Sequence, residues 1–276
     1  MTISRKRFLQ NTGWATAGAA LGAFGRGLLQ RGPDEGSQSP PLRQVPVRPA
    51  ASPVGPASAR TEYQGEESFS QCGEDLIVNF IFRLLGVTKV TYLDVGANHP
   101  TEINNTYYFY RKGHRGVLVE PNADLTGQLR EVRPGDTTLA AGIGVAAAAE
   151  ADYYLMTYPA LNTFSKEEAD HQAEVTKGRI SVRKVIKVPL LNINDVMAEH
   201  FEEAPTFLSV DTEGLDLAIL KSIDYAKFRP KVICAETLIS STTKTIPEIP
   251  AFMATRGYVD RGGSIVNTVF IDSKIL

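Results

Sequence analysis

Cysteine is scarce in this 276-residue chain. Cys72 and Cys234 are too few for a disulfide framework and lack the spacing of metal ligands. Charge is also sparse, at 22% of residues against 43% apolar, which leaves enough hydrophobic material for one full-sized core. No long apolar run occurs: the stretch from Thr12 to Gly25 falls well short of the roughly 20 residues that span a bilayer, and Arg26 interrupts it, so no transmembrane span is expected. Internal repeats are missing too. The formal net charge of −2 conceals an asymmetry, because residues 1–60 hold eight of the 29 Lys/Arg and two of the 31 Asp/Glu, leaving −8 on the remainder. A domain that acidic repels a polyphosphate backbone, which argues against nucleic acid and for a small or neutral substrate.

Ser4-Arg5-Lys6-Arg7-Phe8-Leu9-Gln10, followed by the Ala/Gly-rich run, resembles a twin-arginine export signal with lysine at the second arginine position. Residues 1–30 read as this basic and apolar leader. Residues 31–66, dense in Pro, Gly and Ser, bury too little apolar surface to offset their ordering entropy and read as a disordered linker. A folded domain is expected over 67–276.

Within that domain the periodicity alternates between two and 3.6. Leu76, Ile77, Phe80, Ile81, Leu84 and Leu85 predict an amphipathic helix, with Glu74 and Asp75 in its first turn and Gly86 at its end. Strands are expected at 90–95, 116–120, 138–145, 153–156, 206–210 and 231–236, with an edge strand at 184–188. Helices are expected at 103–112, 122–132, 165–174, 193–200, 215–222 and 249–255. Two last strands, near Tyr258 and at 267–271, are too close together for a crossover helix and must pair antiparallel. The fold class is therefore α/β: a Rossmann-like doubly wound sheet, mostly parallel, with an antiparallel C-terminal strand. At helical spacing with Ile103, Tyr107-Tyr108-Phe109-Tyr110 belongs to the core.

Ligands of such sheets bind outside the carboxyl ends of the strands, where this chain places Asp94-Val-Gly-Ala-Asn98, Glu120-Pro-Asn122, Asp211-Thr-Glu213 and Glu236. A dinucleotide needs G-x-G-x-x-G at the first turn, but one glycine is followed here by Asn98, His99 and Pro100. A diphosphate finds no cradle. An acid at the first strand end suits a cationic, phosphate-free ligand such as S-adenosylmethionine (SAM), and Glu120 at the second suits paired ribose hydroxyls. Asp94 and Glu120 could instead cap the helices that follow them, whereas Gly96 fits a place where backbone approaches a ligand.

Taken together, Ser70-Gln-Cys-Gly-Glu-Asp75, Asp94-Val-Gly-Ala-Asn98, Val119-Glu-Pro-Asn122, Asn162-Thr-Phe164, Leu208-Ser-Val-Asp-Thr-Glu-Gly214 and Pro230-Lys-Val-Ile-Cys-Ala-Glu236 closely resemble the FkbM family of SAM-dependent methyltransferases. The resemblance covers nearly everything after residue 66. It implies SAM as donor and O-methylation of a hydroxyl on a sugar or related small molecule, hence a small-molecule or glycan acceptor. By position it implies that Asp94, Gly96, Ala97 and Asn98 form the SAM turn, that Glu120 and Asn122 hold the ribose and adenine side, and that Asp211 and Glu213 face the methyl group. Pro100 departs from the family pattern, where many members have a second glycine.

Methyl transfer needs alignment and removal of a hydroxyl proton. Asp211, Glu213 and Glu236 are the candidate catalytic acids, either through a pKa raised by mutual repulsion or by holding a divalent cation. His99 is a further candidate base. Gln71 and Glu74 are candidate lid contacts over SAM, or merely the start of a helix. Asn162 and Thr163 are candidate substrate contacts on a loop at that sheet edge. Asp211 with Thr212 could equally cap the helix near Leu215. Two other readings exist: a degenerate methyltransferase fold serving as an interaction module, which would bind SAM without turnover, and a dehydrogenase, which would bind a dinucleotide more tightly than SAM. The export-like leader and the cytoplasmic supply of SAM pull localisation in opposite directions.

Overall fold

The computed structural model describes residues 65–145, 148–239 and 242–276. The expected leader, and all but the last two residues of the expected linker, lie outside them. The elements in chain order are α1 (Glu74–Leu84), β1 (Thr91–Val95), α2 (Tyr107–Arg111), β2 (Arg115–Val119), α3 (Ala123–Val132), β3 (Thr137–Leu139), β4 (Gly142–Ile143), β5 (Glu150–Met156), α4 (Lys166–Val175), β6 (Val182–Leu191), α5 (Ile193–His200), β7 (Phe207–Val210), α6 (Asp216–Ser222), β8 (Val232–Glu236), α7 (Glu248–Thr255), β9 (Tyr258–Gly263) and β10 (Asn267–Asp272).

Seven strands make the main sheet in the order β3-β2-β1-β7-β8-β10-β9. The first five in that order run parallel, while β10 is antiparallel to both β8 and β9. The chain winds outward from β1 to β3 and resumes at β7 on the other flank of β1, so the switch in winding direction falls between β1 and β7. Strand alternation divides the core. Leu93, Val95, Leu208, Val210, Ile233 and Ala235 face α5, α6 and α7. Tyr92, Phe207, Val232 and Cys234 face α1, α2 and α3. Near-continuous apolar runs are what a parallel sheet covered on both faces requires. Among the described residues no helix is long and apolar enough to cross a membrane.

Three expectations need correction. The helix expected from Ile103 begins only at Tyr107, because Ile103 has a positive φ of 51° and Asn104 turns back to donate to the carbonyls of Ala97 and His99. The strand expected at 138–145 breaks after Leu139. The chain leaves the main sheet at Gly142, where an added Cβ would overlap the Phe164 ring, and continues as β4 in a second sheet. That sheet has the order β4-β6-β5, so the segment expected as an edge strand at 184–188 lies within the central strand β6.

Candidate functional site

The acids of the main sheet converge because they share one alternation phase. Asp94 and Glu236 fall in phase with Tyr92 and Cys234, on the α1 to α3 face. Glu120 and Asp211 stand one residue past β2 and β7, their amides still bonded across the sheet to the carbonyls of Leu139 and Val95. A one-residue slip would send each of them to the opposite face.

Close packing of β1 against β7 shapes the first turn. Gly96 has φ 85°, and a Cβ there would overlap the carbonyl oxygen of Asp211, so a side chain is excluded both by conformation and by space. Asn98 follows at φ 50°, a conformation tolerated by its short polar side chain. Glu120 joins this turn to the next: one carboxylate oxygen accepts from Asn98 N at 2.8 Å and the other from Asn122 N at 2.7 Å. Burial pushes its pKa up to about 7, against the pull of those amides. Asp94, 4% exposed, accepts from Thr106 Oγ1 at 2.6 Å, and burial raises its pKa. It supports the turn from below.

Sequence reasoning missed the base of this support. Arg133 is wholly buried at the end of α3. Its guanidinium pairs with Asp136 at 2.8 Å, and donates to Asn104 Oδ1 at 3.1 Å and Thr106 Oγ1 at 3.0 Å. Tyr92 donates to the same Asp136. Asn104 in turn holds the carbonyls of Ala97 and His99, so one buried cation fixes the turn through two intermediaries. In the sequence, Arg133-Pro-Gly-Asp136 reads as an ordinary surface turn, with no signal of burial.

The acids past β7 and at the end of β8 differ. Carboxylate oxygens of Asp211, Glu213 and Glu236 all lie within 4.8 Å of one another. Among the described residues, none donates a hydrogen bond to these side chains or forms an ion pair with them. Burial first, and then repulsion from neighbouring acids, push Asp211 up to about 7 and Glu236 up to about 11, and raise Glu213 well above the usual carboxylate range. Glu213 also has φ 52°, a left-handed conformation costing about 1–2 kcal/mol outside glycine. Asp216, at the start of α6, turns its carboxylate back to accept from Thr212 N and Gly214 N. The loop is thus capped by Asp216, not by Asp211 as the sequence allowed, and this leaves the Asp211 carboxylate to the cluster.

The remaining expected residues are held by the protein itself. His99 Nδ1 accepts from Glu102 N at 3.0 Å, closing its own turn. Asn122 caps α3 by accepting from Asp124 N. Glu74 is wholly buried and accepts from Ser264 Oγ and Asn267 Nδ2, which ties α1 to the start of β10. Gln71 lies half-buried in the turn before α1. Asn162 and Thr163, the expected substrate contacts, are bonded within the protein: Asn162 Oδ1 accepts from Met156 N, and the buried Thr163 hydroxyl is bonded on both sides, to Ser165 N and the Glu213 carbonyl. Tyr153, absent from the expected set, lies buried close enough to Glu120 and Glu213 that, after burial, both raise its pKa.

Among solved structures, the chain is similar to a TehB-like SAM-dependent methyltransferase from Corynebacterium glutamicum at 8% identity, covering 74% of this chain and 89% of that one, with a TM-score of 0.38. TehB from Haemophilus influenzae matches at 11% identity, 72% and 62% coverage and a TM-score of 0.38. An O-methyltransferase from Bacillus cereus in complex with SAH matches at 11% identity, 71% and 80% coverage and 0.37. No curated protein matches the sequence significantly. The model of the methyltransferase FkbM domain matches residues 94–259, more than half of the chain and all the strand-end acids. The chain belongs to the FkbM methyltransferase family.

Proposed function

We propose that the protein transfers a methyl group from SAM to a hydroxyl of a sugar or related small molecule. The observation that supports this most is the placing of the Gly96 turn directly beside an acid cluster that, among the described residues, forms no ion pair. The residues fit SAM. The space at Gly96 admits backbone alone, and Glu120 retains acceptor capacity beyond its two amide bonds for a ribose edge. Bound beside them, SAM supplies a methyl group already activated on a sulfonium sulfur.

The chain's own residues do the rest. Asp94, Thr106, Asn104 and Arg133 keep the turn in a single conformation. The cluster takes the acceptor's proton: a carboxylate with a raised pKa is a stronger base than an ordinary one, and Asp211, at about 7, is poised to exchange protons near neutral pH. The three carboxylates also make an all-oxygen donor set within the reach of one Mg²⁺ or Ca²⁺ ion, which would lower the hydroxyl pKa instead. Calorimetric titration of the full-length protein with SAM, followed by transfer of radiolabelled methyl to a panel of sugars with and without a chelator, tests both. Absence of SAM binding sinks the reading. Binding without transfer to any hydroxyl favours an interaction module, and loss of transfer in chelator selects the cation.

A further inference from the structure

The geometry points to an anion-binding subsite at the rim of the acid cluster: Lys177, Arg179, Arg183 and Lys184, on the turn after α4 and the first residues of β6, hold a phosphoryl group borne by the acceptor sugar. The inference deepens the methyl-transfer reading and rests on it for the place of the acceptor hydroxyl. From Val175 to Val185 the chain carries these four cations and no acid, although the residues after 60 sum to −8. Screening confines each field to about 8–10 Å at physiological salt, so that summed charge does not cancel a local patch. All four side chains are exposed, and among the described residues none forms an ion pair, not even with Glu174, the nearest acid in the chain. Lys187, further along β6, is already paired with Asp152 at 2.9 Å. Arg179 uses Nε for the Thr176 carbonyl, at 3.2 Å, which leaves its Nη groups for a ligand.

Hydrogen bonds fasten this segment to the site. Thr157 N donates to the Ser181 carbonyl at 2.9 Å and Ser181 N donates to Thr157 Oγ1 at 3.1 Å, which seats the start of β6 against the end of β5. From Thr157 the loop runs through Tyr158 to Thr163, whose hydroxyl donates to the Glu213 carbonyl at 2.8 Å. Tyr158 stands close enough to Glu213 that, after burial, this acid raises its pKa. One short loop therefore separates the cations from the three carboxylates. The carboxylates repel an anion and the cations attract it, so an acceptor with a hydroxyl at one end and a phosphoryl group at the other binds in one orientation, hydroxyl toward Asp211, Glu213 and Glu236. The planar fork of arginine matches phosphate oxygens two at a time, and lysine adds a point charge.

The test is calorimetric titration of the full-length protein with glucose 1-phosphate and UDP-glucose against neutral methyl glucoside, and co-sedimentation with phosphatidylglycerol against phosphatidylcholine vesicles, beside SAM titration. A phosphoryl-bearing probe is expected to bind, more weakly as salt rises. The double variant Arg179→Glu/Arg183→Glu should weaken that binding by about tenfold or more, with SAM affinity unchanged. Lys177→Glu/Lys184→Glu should weaken it as well, by less. The control Lys89→Glu/Lys231→Glu makes the same charge change at exposed positions before β1 and β8, at the opposite ends of those strands, and should leave binding unchanged. Capture of the soluble probes alone assigns the phosphoryl group to a free sugar phosphate or nucleotide sugar; capture of the anionic vesicles alone assigns it to a lipid-linked acceptor. No binding of any phosphoryl-bearing probe overturns the proposal, as do equal binding of methyl glucoside and an equal loss in the control. Loss of anion binding alone, with SAM still bound, removes the subsite and spares the methyl-transfer reading. Anion binding without SAM binding removes that reading and, with it, the acceptor role of the four cations.

Discussion

The two halves of the strand-end site contain carboxylates of the same chemical type in opposite states of satisfaction. On the β1/β2 side, Asp94 and Glu120 are buried and bonded to Thr106 Oγ1, Asn98 N and Asn122 N. On the β7/β8 side, Asp211, Glu213 and Glu236 crowd within 4.8 Å. Burial raises acids in both halves, although by solvent exposure Asp94 and Glu120 are buried while the three crowded acids are half-buried. What differs is the supply of donors. A satisfied carboxylate holds its surroundings in one geometry, whereas a crowded one holds free energy that a proton, a cation or an acceptor hydroxyl releases. On the proposed reading, the first half binds and the second reacts.

The largest effect is expected where the satisfied half depends on one buried cation. Arg133→Met strands Asp136 beside Tyr92 and should cost roughly 3–5 kcal/mol in urea unfolding. Adding Asp136→Leu should recover part of it; an additive double variant would show that the pair is not the cause. Gly96→Val comes next, at roughly 2–4 kcal/mol from left-handed strain plus overlap with the Asp211 carbonyl, together with loss of SAM binding. A Val variant that still binds SAM would break the claim that bare backbone defines the turn.

The comparison is sharpest in a pair of amide replacements. Glu120→Gln leaves one of two backbone amides without an acceptor and should destabilise by roughly 1–3 kcal/mol. Glu236→Gln replaces a carboxyl that the fold keeps protonated with a neutral isostere and should stabilise the ligand-free protein by at least about 1 kcal/mol at pH 8. Equal signs in thermal unfolding would erase the distinction between the halves. The pH dependence follows. Asp211 and Asp216 have folded values near 7 and 6, raised above unfolded carboxylate values of about 4. Their contribution is full below the unfolded value and is lost as pH rises through the folded one. Ligand-free stability should therefore carry a component that falls between about pH 4 and pH 7, read by urea unfolding across that range.

Those acids were legible in the sequence because a strand end is a fixed address: once the βα alternation is placed, Asp94, Glu120, Asp211 and Glu236 fall at carboxyl ends and in one phase. Their supports were not. Arg133 sits in a Pro-Gly turn whose local pattern signals exposure, and only packing against Tyr92, Asn104 and Thr106 buries it. The second sheet was not legible as a unit because β4 has two residues and six of the ten residues of β6 are exposed, so hydrophobic alternation is weak there. Asn162 and Thr163 are legible only as polar residues in a loop, and the long-range bond from Thr163 to Glu213 is one that no local pattern encodes.

The most direct test of the central claim is titration of the full-length protein with SAM and, separately, with NAD, using Gly96→Val as control. Saturable SAM binding that the variant loses, with none for NAD, is the predicted result; NAD binding in the absence of SAM binding would contradict it.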